Sequence, residues 1–152
     1  MADKALSRDD LAFGRAVLLA TDSLGMSAEG AFWLYDRRDN EWRYFLVSSL
    51  LDRVGARELY LRLNDALAKT LSERETREFQ FYIAGPNERL VKDIRKCAQT
   101  GAYSSEPKSV TVEISERPVK AWIYRLTDRL NEAGAKRVQR RFRQRTNDVK
   151  VA

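Results

Sequence analysis

No histidine occurs anywhere in the chain, and there is a single cysteine, Cys97. The first absence excludes an imidazole base, a Ser-His or Cys-His pair and a histidine-ligated metal. The second excludes an internal disulfide and a cysteine cluster for zinc or iron–sulfur. Long apolar runs are missing too: the first, Ala16 to Ala20, has five residues, far below the roughly eighteen of a membrane span. The first ten residues are acidic where a secretory signal would be basic, so neither a signal peptide nor a membrane span is expected. A lone cysteine suits a reducing cytoplasm, the expected compartment. Glycine-rich phosphate loops, G-x-S-x-G, metalloprotease and EF-hand patterns are absent. No cofactor, metal ligand or catalytic residue is therefore expected, although chemistry built on carboxylates and arginines would leave no such pattern.

What is present is enough apolar material for one core. The 152 residues are 43% hydrophobic, and a chain of that length folds without disulfides or metal. Its charge is distributed unevenly. The whole excess of +6 falls in residues 134–152, where Lys136, Arg137, Arg140, Arg141, Arg143, Arg145 and Lys150 face Asp148 alone. The expected organisation is a neutral domain over 1–133 and an arginine-rich segment over 134–152, helical or disordered.

Ser7 before Asp10 reads as a helix start, with Gly25 as the stop. The 3.6-residue period puts Phe13, Ala16, Val17, Ala20 and Leu24 on one face, and only Arg8, Arg15 and Asp22 form a polar strip. Gly30–Tyr35 and Trp42–Val47 flank a charged turn and predict a hairpin. Apolar residues on both parities of its first strand predict a strand that is central or covered on both sides. A helix is expected from about Val54 to Leu71, and a strand over Phe79–Ile83. Leu90, Val91, Ile94, Cys97 and Ala98 then form a helical stripe ending at Gly101, with Cys97 a buried thiol. Residues 102–108 read as a loop, and Val110–Ile114 and Val119–Leu126 as a second hairpin. The order α-β-β-α-β-α-β-β plus the basic tail predicts an α+β two-layer sandwich, a five-stranded mostly antiparallel sheet with helices packed on one face.

Three groups of residues are candidates for binding. The first is Arg89 behind Gly85-Pro86-Asn87, where a strand runs into a helix N-terminus that could attract an anion; a tight connection built of turn residues is the plainer explanation. The second is Trp33 and Trp42, within a dense aromatic set, which belong to the core unless one sheet face is open to bases or a partner. The third is the tail: Lys136, Arg137, Arg140, Arg141, Arg143 and Arg145 cover an arc of about 200°, with Val138 and Phe142 opposite. Asp36, Asp39 and Glu41 could hold a hard cation, but they alternate with Arg37 and Arg38 and read as a solvated turn. The expected function is a non-enzymatic interaction or regulatory module whose basic segment contacts an acidic protein partner. The alternative is a nucleic-acid-binding protein that uses those arginines on phosphates. With few apolar groups in 134–152, the rest is expected to fold without it.

Overall fold

The computed structural model describes residues 4–71, 80–98 and 106–151. The Ser7 side chain caps α1 (Arg8–Ser23), accepting from the Asp10 N–H at 3.0 Å, and Gly25 follows it with φ +80°, a left-handed conformation that glycine adopts without steric cost. The chain continues through β1 (Gly30–Asp36), β2 (Glu41–Val47), α2 (Leu50–Val54), α3 (Ala56–Thr70), β3 (Phe81–Ala84), α4 (Arg89–Cys97), β4 (Lys108–Ile114), β5 (Arg117–Leu126) and α5 (Glu132–Val151). The helix expected from about Val54 to Leu71 is α3, and the short α2 before it was not expected; Gly55, at φ +86°, ψ 154°, separates the two. Phe79, Gly101 and residues 102–105 lie outside the described residues.

The five strands form one open sheet in the order β3-β2-β1-β5-β4. All neighbours are antiparallel except β2 and β3, which run parallel because α2 and α3 form a crossover between them. As expected from its apolar parities, β1 is the central strand. The fold is α+β, and its mixed sheet is mostly antiparallel. Its helices, however, occupy both faces. Ala31, Trp33, Tyr44, Leu46, Ile83 and Tyr124 pack beneath α1, α3 and α5. On the other face Phe32, Leu34, Val112 and Ile123 pack with Val91 and Ile94 of α4.

The first helix lies closer to the sheet than its apolar period suggests. Its buried positions are Gly14, Val17, Leu18 and Thr21, while Phe13, Ala16 and Ala20 are half-buried and Leu19 is 54% exposed. Gly14 accounts for this rotation, since a Cβ there would lie 2.5 Å from the Tyr124 hydroxyl and 2.8 Å from Trp33 Nε1. The missing side chain lets the Gly14 carbonyl accept from the Tyr44 hydroxyl at 2.8 Å, and the Leu11 carbonyl accepts from the Tyr124 hydroxyl at 2.6 Å. Burial raises the pKa of Tyr44, and it pushes Tyr124 up to about 12.

The basic segment corrects the expectation of a tail appended to a self-sufficient domain. It is part of a twenty-residue helix, with Phe142 fully buried and Ala135, Val138 and Thr146 buried beside it. A single aromatic at the right period, flanked by small residues, is enough to seat a helix whose remaining positions are polar. Polar contacts line the seam: Arg53 donates to Gln139 at 2.7 Å and to Glu132 at 2.9 Å, and Arg62 donates to Thr146 at 3.0 Å. Cys97 is a second correction. Its helix turns Val91 and Ile94 inward and leaves the thiol exposed, where the Glu113 N–H approaches Sγ at 3.4 Å.

Candidate functional site

The solvent face of α5 carries the densest unpaired charge among the described residues. Asn131 caps the helix, its Oδ1 accepting from the Gly134 N–H at 2.7 Å. Glu132 in the first turn is held below the usual carboxylate range by the hydrogen bond and charge of Arg53, a placement that also complements the helix dipole. From there Lys136, Arg137, Arg140, Arg141 and Arg145 are all exposed, over about 13.5 Å of axis. Lys136, Arg137, Arg140 and Arg141 form no ion pair with any described residue. Arg145 donates to the Ser23 carbonyl at 3.0 Å, and the stem of Arg141 crosses Gly25, where a Cβ would meet its Cγ at 2.6 Å.

Arg143 does not belong to this face. It lies on the flank toward α3, half-buried, and pairs with Glu58 at 3.0 Å. The six cations named from the sequence therefore divide into five that face water and one that fastens the helix. The phenyl ring of Phe142 on the opposite side holds the array in place, so its charges occupy positions on a rigid element and not on a loose strand of chain.

The other candidates fall elsewhere. Trp33 is 6% exposed and donates to the Tyr124 hydroxyl at 3.1 Å, beneath α1. Trp42 is half-buried on the same face and donates to the Lys4 carbonyl at 2.8 Å. Both correct the reading of an open aromatic face: Trp33, Tyr35, Trp42 and Tyr44 share one strand parity, and that parity is the helix-covered one. Arg89 stands 76% exposed with Asp93 at 3.9 Å. Beside it the Gly85 N–H is bound by the carboxylate of Glu88, whose own charge would repel a phosphate. In the first turn, Asp36 and Asp39 both pair with Arg43, which explains their clustering without a metal. No set of three or more metal-ligating side chains occurs among the described residues.

One buried carboxylate had no sequence signal. Glu29 accepts from the Ser49 N–H at 2.8 Å, the Ser49 hydroxyl at 2.7 Å and the Leu130 N–H at 3.2 Å. It thereby ties the start of α2 to the segment that leads into α5. Two neighbouring positions before β1 give no hint of this, since the donors come from residues 20 and 101 positions away.

No helix among the described residues is long and apolar enough to cross a membrane. Comparison with protein-family models, with curated proteins and with solved structures finds no match.

Proposed function

We propose that the chain is a cytoplasmic interaction module that contacts an acidic protein partner through the solvent face of α5. The observation that carries this reading is the pairing state of that face: Lys136, Arg137, Arg140 and Arg141 form no ion pair with any described residue, and only Lys136 has a carboxylate, Glu132, within its electrostatic reach, on a helix anchored by Phe142. Elsewhere on the surface the arginines are largely engaged, as with Arg43, Arg53 and Arg62. Unpaired charge on a rigid element favours an opposite surface, because little side-chain and backbone freedom remains to be lost on contact. The exposed thiol of Cys97 is compatible with a reducing compartment.

A second reading, phosphate backbone binding, draws on one specific observation. Four of the five cations on the face are arginines, whose forked donors suit phosphate oxygens. Titration with poly-L-glutamate and with duplex RNA and DNA at about 0.15 M salt separates the two. Poly-L-glutamate binding that weakens in Arg137→Ala/Arg140→Ala supports the acidic-partner reading. Stronger duplex binding, with a log K against log salt slope on DNA near −3.6 for four contacts, flattened by about 1.8 in the double variant, supports the phosphate reading. Absence of binding to every probe at that salt, or binding indifferent to the double variant, overturns both.

A further inference from the structure

Among the described residues, the face of the sheet opposite α1 is covered by one short helix. At nine residues, α4 is about 13.5 Å long, while five strands span about 19 Å across and seven-residue strands about 23 Å along. Among the described residues one end of that face is left open, and there the two hairpins part. The β1–β5 ladder stops at Leu34↔Ala121, whereas β1–β2 continues to Asp36↔Glu41 and β4–β5 to Ile114↔Arg117. Between the diverging ends lies a cleft of about 1020 Å³.

Its floor and rim differ in chemistry. Leu34, Phe45, Ile114 and Val119 line it and belong to, or pack on, the second core cluster. Phe45 stacks on Phe32 with centroids 5.6 Å apart and tilts against Tyr82 at 5.4 Å, and Arg43 lies over the Tyr82 ring at 5.8 Å. Arg37, Arg38 and Arg43 enter from the first hairpin; Arg117 and Lys120 enter from the second. The lining holds one carboxylate, Asp36, with Arg43 at 3.4 Å and Arg38 at 3.8 Å. Five cations therefore surround an apolar floor with one anion among them, and Arg43 is further paired with Asp39 just outside the lining.

We propose that this cleft binds an amphipathic anion: a small carboxylate or phosphate ester carrying an aliphatic chain or aromatic ring. The apolar body would lie over Phe45 and Val119, out of water, and the head would meet Arg117 at the mouth, where charge-assisted hydrogen bonds to an oxyanion are strongest. The volume falls at the upper end for small-molecule sites, which are mostly apolar with a few placed polar groups. A nucleic acid would need cations spaced along a track, and that arrangement belongs to α5, not to this floor. The two sites are separate, so this inference does not depend on the function proposed for the helix.

The test uses the full chain and a fluorescent aromatic sulfonate, anilinonaphthalene sulfonate, with near-ultraviolet circular dichroism to verify that each protein is folded. One saturable site is expected, displaced by dodecanoate and by dodecyl phosphate but not by the neutral dodecyl maltoside or by inorganic phosphate alone. Arg117→Glu, at an exposed position, should weaken binding by roughly tenfold or more. Val119→Asp provides a second variant, placing charge in the floor. The Arg137→Ala/Arg140→Ala protein should bind as the unaltered chain does. No saturable binding to the folded protein, equal displacement by the neutral detergent, indifference to both cleft variants, or loss in the α5 variant would each overturn the proposal.

Discussion

The two faces of the sheet use the same strands to opposite ends. On one, α1, α2, α3 and α5 close with a set of large aromatics over a continuous core, and the buried hydroxyls of Tyr44 and Tyr124 each find a carbonyl of α1. On the other, one nine-residue helix among the described residues covers part of the surface and leaves apolar side chains at the edge of a charged cleft. Coverage on the first face is completed by α5, whose polar composition disguises its role. The difference shows that a helix contributes to a core according to where its few apolar groups sit, not how many it has. It also separates rigidity from openness: the closed face supports the α5 charge array, while the open face leaves room for a ligand.

The contrast is tested most severely by comparing two phenylalanines. Phe142→Ala should cost about 3–5 kcal/mol, the range for a buried ring that leaves a cavity, and truncation before Glu132 should abolish cooperative unfolding. Phe45→Ala, at a half-buried position beside the cleft, should cost markedly less, since water already reaches its ring. Urea denaturation of the two variants measures both; equal losses would mean that the faces are equally closed.

The next effect concerns how closely α1 approaches. Gly14→Ala should destabilise by about 1–3 kcal/mol, although alanine favours helices, because its Cβ meets Tyr124 and Trp33 within 3.0 Å. Ala12→Gly, at an exposed position of the same helix, should cost no more than about 1 kcal/mol through propensity alone. Thermal melts that rank Ala12→Gly as the worse variant would contradict the tight contact.

The smallest effect comes from alkali. The folded pKa of Tyr44 and Tyr124 lies above the unfolded value near 10, for Tyr124 at about 12. Their contribution is complete below pH 10 and is lost as pH rises toward and through the folded values, since only the unfolded chain ionises readily. At pH 11 the loss from Tyr124 should be roughly 1 kcal/mol, with a further loss of the same sign from Tyr44. Urea midpoints measured between pH 9 and pH 11.5, together with tyrosinate absorbance, check it. In Tyr44→Phe the alkaline decline should shrink; no change would locate its cause elsewhere.

Much of this architecture was legible before any coordinates. The Ser7 cap, the Gly25 stop, both hairpins and the central position of β1 followed from side-chain chemistry acting over a few residues. The Val91 and Ile94 stripe was equally local. The open face was also within reach, because strand alternation places Leu34, Arg43 and Phe45 opposite the tryptophans; density of aromatics drew attention to the wrong parity. Cys97 shows the limit of a stripe read by period alone. The helix ends there, and its last turn lies at the outer edge strand β4, where the thiol meets the Glu113 N–H and water.

What the sequence determined by itself was the set of elements and their local punctuation, together with the concentration of positive charge in one segment. These depend on backbone propensities, capping and the 2.0 and 3.6 periods, which act between near neighbours. Tertiary structure alone decided that α4 crosses to the second face, that α1 turns Gly14 to the sheet, and that α5 is a core helix with Arg143 held by Glu58. Each is a choice between faces of nearly equal apolarity, or a pairing across more than eighty residues. Such choices are settled by shape complementarity between surfaces that exist only after the elements have formed, such as the space beneath Gly14 and the socket that receives Phe142.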